Sequence, residues 1–319
     1  MTGPGVPVGL SVPAGLSGRG ELEAFSDRAR AMGFGTLLVA DRPAGSRPAA
    51  DPMSQASALR ALSDWRMVTV CLVPYRHPLH LARTLANADR LSPEPVVLAA
   101  AMGGDYQAER RAFGVTGAGQ LTGLLEESVE ICRRLWRGQP THFQGEHYDI
   151  DGITVLPRPT RGTVPVWLAH RARSPASLER TARLADGWLA SWVSPARLRR
   201  ATEQIREAAG QLGRERAPLD VCALVRLHLA PTVEEAAQKM ARIRSEVYGH
   251  RYDPALVTHL QVGGPAEYCL ERLWDFVDAG ANELVVQLEC DPQDYDEQLS
   301  ALGEAIVAPS ITGGAVLRR

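Results

Sequence analysis

The residues able to do chemistry lie where apolar runs give way to polar segments. One run ends in Asp41-Arg42, a second in Tyr75-Arg76-His77-Pro78, and a third in Gly103-Gly104-Asp105-Tyr106. A fourth ends in His170-Arg171-Ala172-Arg173-Ser174, just ahead of a helical pattern, and a later run carries Arg226 and His228. Asp105 and His77 are proton donors or acceptors by type, and Arg42 is a fixed cation. Arg171, Arg173 and Ser174 offer two guanidinium groups and a hydroxyl where a helix N-terminus presents unpaired N–H groups, which suits a phosphate. Gly263-Gly264-Pro265 is a second phosphate candidate, with close backbone approach ahead of another helix. Each has a plainer reading: Ser174 as a helix cap, Asp105 and the paired glycines as turn residues, and Arg76-His77 as a solvated start to a helix.

The elements that must position these groups alternate regularly. Strand patterns fall at 6–12, 36–40, 67–73, 96–102, 164–169, 187–191, 219–229 and 284–288. Helical patterns follow them at about 22–32, 52–62, 78–89, 124–136, 174–184, 195–212, 233–248 with 265–279, and 293–307. Strands apolar on both faces, each followed by a helix, predict a parallel sheet covered by helices. Eight repeats within 319 residues predict an α/β fold, a single (β/α)8 TIM barrel over 1–319, with an insertion after strand four at 137–163. The tail at 310–319 reads as frayed. In such a barrel the chemistry sits at the C-terminal ends of the strands, where the residues above fall.

Composition narrows the class. Hydrophobic residues make up 45% and charged residues 23%, enough for a large core. Thirty-seven acidic against 35 basic residues leave a net charge of −2, so no global basic field invites nucleic acid or an anionic membrane. Lys239 is the only lysine, a bias that a GC-rich coding sequence explains. Five cysteines with no paired spacing argue for free thiols and against a zinc site, so no metal is expected. Trp136, Trp167, Trp188 and Trp274 read as core aromatics. The chain has no Walker-type loop, no GxSxG and no HExxH. The N-terminal stretch lacks a charged start and an apolar core, and the longest apolar run is too short for a bilayer, so a cytoplasmic protein is expected.

Several segments, in order, carry a resemblance. They are YRHPLHLARTLANADRLS (75–92), MGGDYQAERRAFGV (102–115), LLEESVEICRRLWRG (124–138), FQGEHYDI (143–150), LPRPTRGTVPVWLA (156–169) and ARLADGWL (182–189). LLVADRP (37–43) and GGPAEYCLERLWDFVDAGANELVVQ (263–287) extend it. Together they resemble the luciferase-like monooxygenase family of flavin- and deazaflavin-dependent barrels. The resemblance implies a cofactor across the barrel mouth, beside Gly103 and Gly104, with its phosphate near Ala169, His170, Arg171, Arg173 and Ser174. It also implies a non-prolyl cis peptide in strand three around Thr69, Val70 and Cys71, and catalytic roles for Asp105, Arg42 and His77.

The activity it implies is a monooxygenase reaction using reduced FMN and dioxygen on a small organic substrate, with a separate flavin reductase as partner. The alternative is hydride transfer with the deazaflavin coenzyme F-420; a third reading is a non-catalytic flavin- or ligand-binding barrel. A homodimer is implied as well. Three departures stand out: Arg42 where the family often has His, His170-Arg171 where many members have Gly-Gly, and Ser92-Pro93-Glu94-Pro95 where Ser-Gly-Gly-Arg is usual.

Overall fold

The eight apolar runs become eight parallel strands, since each must bury both faces and only a closed sheet jacketed by helices does so. The computed structural model describes residues 5–43, 49–103, 107–115, 117–214, 219–304 and 316–317. In chain order the first half comprises β1 (Val6–Ser11), α1 (Arg19–Ala31), β2 (Thr36–Ala40), α2 (Pro52–Leu62), β3 (Arg66–Leu72), α3 (Pro78–Asp89), β4 (Val96–Ala101), α4 (Gln107–Ala112) and α5 (Ala118–Trp136). The hairpin β5 (Thr141–Gln144) and β6 (Asp149–Ile153) follows. The second half runs β7 (Val166–His170), α6 (Pro175–Leu184), β8 (Gly187–Ser191), α7 (Pro195–Gln211), β9 (Asp220–Leu229), α8 (Val233–Tyr248), α9 (Pro254–Leu260), β10 (Val262–Gly264), α10 (Ala266–Asp278), β11 (Glu283–Leu288), α11 (Tyr295–Leu302) and β12 (Val316–Leu317).

The barrel closes in the order β1-β2-β3-β4-β7-β8-β9-β11 and back to β1, every pairing parallel. Strand β10 adds to the outer end of β9, and β12 pairs antiparallel with β1. The antiparallel β5–β6 hairpin forms a sheet of its own within the expected insertion. Helices α4 and α9 and strand β10 are short, and hydrophobic periodicity did not mark them. Among the described residues no helix is long and apolar enough to cross a membrane.

Alternation along the strands sorts their side chains. Leu38, Val68, Val97, Ala99, Trp167, Leu189, Cys222, Leu224 and Val285 form one cluster made only of strand residues, the barrel interior. The intervening positions, such as Leu37, Met67, Leu98, Leu168 and Trp188, join the larger cluster shared with the helices. Two interior positions have no side chain. A Cβ on Gly187 would come within 2.4 Å of the Trp167 ring, and one on Gly9 within 3.0 Å of Thr36. Gly187 leaves room for one large indole and Gly9 for Thr36, so the interior is packed and not a pore.

The helix starts are written locally. Asp51, Ser174, Ser194 and Asp253 each precede a proline and accept a hydrogen bond from a backbone N–H of the first turn. The Ser92–Pro95 departure also has a structural role. Buried Arg60 of α2 donates to the carbonyls of Trp65, Ala88, Asp89, Ser92 and Glu94, tying α2 to the connection between α3 and β4. Arg60→Met would strand these acceptors, several of them buried. We expect it to destabilise the protein by about 3 kcal/mol or more in urea unfolding. A loss under about 1 kcal/mol would show that water replaces the guanidinium.

Candidate active site

The interior ends at the C-terminal side in a layer of small residues. Ala40 is exposed, and Val70, Ala101, Ala169 and Ser191 are half-buried, while the layer beneath them is sealed. Their strands β2, β3, β4, β7 and β8 are neighbours, so the five side chains make a continuous shallow floor. A flat ring system fits such a floor, where larger side chains would stand in its place. The opposite side, built by β9 and β11, is charged. Arg226 and Glu289 continue the inward-facing rows of Leu224 and Val285.

The charged side is tightly held. Arg226 Nε lies 3.5 Å from Glu289 Oε2, and the same carboxylate oxygen accepts from Arg244 of α8. Arg226 also donates to Ser191 Oγ at 3.3 Å, and its own backbone N–H donates to Gln261 Oε1 at 2.6 Å. Both guanidinium groups lie over the Trp192 ring, 5.2 and 4.9 Å from its centroid. Trp192 has φ 58° in the left-handed region, and its buried indole N–H has no hydrogen-bond partner among the described residues.

At the rim, Asp41 accepts from the backbone N–H of Leu72 and from Arg76, which also bonds Asp51 at 2.7 Å. Arg42 extends instead toward α8, its guanidinium 5.7 Å from the Tyr248 ring centroid. His77 is exposed; its Nδ1 caps α3 by accepting from Leu79 N–H, and its ring meets Tyr148 edge-on at 5.4 Å. Burial, then the neighbouring His80, lowers its pKa, which keeps the imidazole neutral near pH 7. Gly103 has φ 67°, and a Cβ there would sit 3.1 Å from the Tyr75 ring, which stacks on Phe113. Gly104 and Asp105 lie outside the described residues.

At the β7 exit only Ala169 faces the floor. His170 has the opposite parity: it stacks on Trp188 at 5.3 Å and bonds Thr181 of α6 at 2.7 Å. Its side chain therefore belongs to the helix layer. Ala172 turns the chain with φ 51°, and its carbonyl is held by Arg197. Arg171 is half-buried, whereas Arg173 and Ser174 are exposed, and Ser174 Oγ accepts from Ser177 N–H as the cap of α6.

In strand three, Val70 reaches the floor, whereas Cys71 packs in the outer cluster with its Sγ 3.9 Å from Asp41, and Thr69 is fully buried. Burial pushes the Cys71 thiol well above its usual range, which disfavours the thiolate. The expected cis peptide at 69–71 is not there. The one cis bond among the described residues is Leu156–Pro157, and β3 pairs with β4 in unbroken register from Met67 to Leu72, which requires regular trans backbone. Gly263 and Gly264 form buried β10, where a Cβ on Gly263 would meet that of Ala236 at 2.8 Å; they serve close packing against α8.

Sequence reasoning placed Arg226 at a strand end without assigning it a role, and it did not single out Arg244, Glu289 or Trp192. An arginine and a histidine two residues apart inside an otherwise apolar strand was the available signal, since both then share one face.

Comparison with known proteins follows this geometry. The family model described as luciferase-like monooxygenase matches residues 7–283. An F-420-dependent glucose-6-phosphate dehydrogenase of Nakamurella multipartita is 26% identical over 196 residues, covering 59% of this chain and 57% of that protein. A second such dehydrogenase, of Rhodococcus jostii, is 31% identical over 117 residues, covering 35% and 33%. The matches thus span little more than half the length of these relatives at most. Among solved structures, an F-420-dependent secondary alcohol dehydrogenase with a bound F-420–acetone adduct superposes with TM-score 0.82 at 18% identity, covering 97% of this chain and 99% of that one. A long-chain alkane monooxygenase superposes with TM-score 0.76 at 15% identity, covering 97% and 91%. These structural likenesses show the fold.

The buried imidazole of His170 generates a pH prediction. Burial, with Arg180 nearby, pushes its pKa down to about 4. The unfolded chain binds this proton near pH 6.5, so between those values the unfolded state holds more protons and stability falls as pH falls. We expect acidification from pH 7 to 4.5 to cost about 2 kcal/mol through this residue. In His170→Asn that slope should be shallower by this amount in denaturant titrations; an unchanged slope would assign the acid sensitivity elsewhere.

Proposed function

The chain belongs to the luciferase-like monooxygenase family, and from that premise we propose that it is an oxidoreductase transferring hydride between coenzyme F-420 and a small organic alcohol or carbonyl compound. The observation that carries this reading is the mouth itself, a floor of small side chains facing a side rich in arginine, taken with relatives named as F-420-dependent dehydrogenases. Bound at the mouth, the deazaflavin supplies a two-electron hydride centre that needs no oxygen.

Ala40, Val70, Ala101 and Ala169 would hold the ring on the floor and keep water from that face. Gly103 gives close backbone approach at the β4 exit, and Gly104 is proposed as a cofactor contact beside it. Arg171, Arg173 and the start of α6 at Ser174 receive the phosphate, while the backbone of Ala169 and His170 lines the approach. Arg42 carries positive charge over the substrate side and moves no proton. His77, whose Nδ1 is occupied by the Leu79 N–H, offers its Nε2–H as a donor at the rim, and Asp105 is the candidate for proton transfer.

A second reading, oxygenation with reduced FMN and dioxygen, draws support from the shared fold with a long-chain alkane monooxygenase and an EDTA monooxygenase of Chelativorans. It would require a separate flavin reductase. In either case we propose a homodimer.

Anaerobic incubation with F-420 and a panel of alcohols separates the readings. We expect F-420 to bind, and its fluorescence to fall with turnover in the absence of oxygen. Oxygen-dependent turnover with reduced FMN, and no F-420 binding, would establish the monooxygenase instead. Arg171→Ala and Arg173→Ala should each weaken F-420 or FMN binding roughly ten- to a hundredfold, with riboflavin, which lacks the phosphate, unaffected. Equal small effects on FMN and riboflavin would place the phosphate away from the β7 exit.

A further inference from the structure

The charge count at the β9–β11 side does not close. Arg226 is 6% exposed and Arg244 2%, yet both depend on one carboxylate, Glu289, and no other acidic partner is present for either among the described residues. Neither guanidinium is saturated: Nε of Arg226, 3.5 Å from Glu289 Oε2, makes an ion pair without a hydrogen bond, and Nε of Arg244, like the indole N–H of Trp192, has no hydrogen-bond partner among the described residues. A third cation adjoins them. Tyr248 has the Arg244 guanidinium 5.4 Å and the Arg42 guanidinium 5.7 Å from its ring centroid, so the strand-two exit and α8 bring positive charge to one place.

Aromatic faces offset part of the repulsion, since a guanidinium over an indole or phenol ring is attracted by its quadrupole. They do not neutralise the charge. A buried cation without its own anion is costly, and a planar guanidinium with free N–H groups is the side chain best shaped to bind an oxyanion at two points. The opposite end of the barrel provides the contrast. There Arg66 pairs with Glu283 at 2.8 Å and lies over the Trp167 ring, and among the described residues no second arginine shares that carboxylate.

We infer that Arg226, Arg244 and Arg42, set around Glu289, Trp192 and Tyr248, form an oxyanion subsite that takes a phosphate monoester or carboxylate group carried by the substrate. The subsite stands on its own residues; assigning the anion to a substrate rests on the oxidoreductase reading above. It lies two and three strands around the barrel from β7, on β9 and β11, beside the small-residue floor, so a ligand anchored here would extend over that floor. Uncharged alcohols would then be poor substrates, and anionic ones of the same size good ones.

Inorganic phosphate is the probe, titrated by calorimetry into the full chain without cofactor, with chloride as control. We expect saturable binding at one site and a melting temperature that rises with phosphate, because a ligand that binds only the folded state stabilises it. Arg226→Met and Arg244→Met should each weaken phosphate binding tenfold or more. Arg42→Ala, at a half-buried rim position that keeps the inner pair intact, should weaken it several-fold and lessen the phosphate-induced rise in melting temperature.

No saturable binding, or binding that Arg42→Ala and folded Arg226→Met leave unchanged, would overturn the subsite. FMN and riboflavin titrated into Arg226→Met locate the source of the anion. Equal affinities relative to wild type keep it with the substrate; a loss confined to FMN would give the arginines to the cofactor phosphate and overturn the substrate assignment. Phosphate binding without F-420 binding would sink the proposed reaction while leaving the subsite, and F-420 binding without phosphate binding would do the reverse.

Discussion

Closing eight parallel strands on themselves imposes one rule on everything else here: successive side chains must alternate between a narrow interior and a helix-covered exterior. The interior is filled by one large group, Trp167, with aliphatic residues around it and glycines at positions 9 and 187, where a side chain would collide. A single methyl at position 187 would have to share space with that indole. Register is therefore fixed from the middle of the barrel outward, and the parity of every strand end follows from it.

That parity separates the two ends of the barrel. At the N-terminal end Arg66, Glu283 and Trp167 form a closed plug, with one cation, one carboxylate and an aromatic face. Burial raises the Glu283 pKa even so, the mark of a group held for structure in a dry place. Toward the C-terminal end five adjacent strands turn Ala40, Val70, Ala101, Ala169 and Ser191 inward, with Leu72 beside Ala101 at the end of β3, and the sheet stops short of sealing itself. On β9 and β11 the inward positions Arg226 and Glu289 carry charge, and Arg244 of α8 adds a second cation to that one carboxylate. A stable plug and a charged, open mouth are the division of labour expected of such barrels.

Much of this was legible in the sequence. All eight barrel strands follow the apolar runs to within a residue or two, and the Asp-Pro and Ser-Pro pairs mark the starts of α2, α6, α7 and α9. The excursion at 137–163 was legible as a break, though not as the hairpin β5–β6, whose few residues carry a weak alternating pattern. What reading the strand ends as a row of polar residues missed was the direction in which each one faces. His170 and Cys71 belong to the outward set and were grouped with the site. Arg226 belongs to the inward set, and its partners Arg244 and Glu289 are 18 and 63 residues further along the chain, linked to it only by the fold. No local pattern encodes a carboxylate shared between a strand and a helix.

The departures from the family pattern acquire a physical sense once parity is known. His170-Arg171 in place of two glycines does not crowd the mouth, because His170 turns outward onto Trp188 and Thr181 and leaves only its backbone on the inner side. The left-handed turn at Ala172, clamped by Arg197, then restores the sharp exit that glycine would have given without strain. Arg42 in place of histidine exchanges a titrating group for a permanent cation, and that cation leans toward Tyr248 and away from Asp41, whose carboxylate Arg76 already occupies. Arg171 and Arg42 both add fixed positive charge at the strand ends, and at position 42 that charge stands in place of a titrating group. A rim altered in this sense sets permanent charge beside a floor of small residues, with no titrating imidazole at position 42.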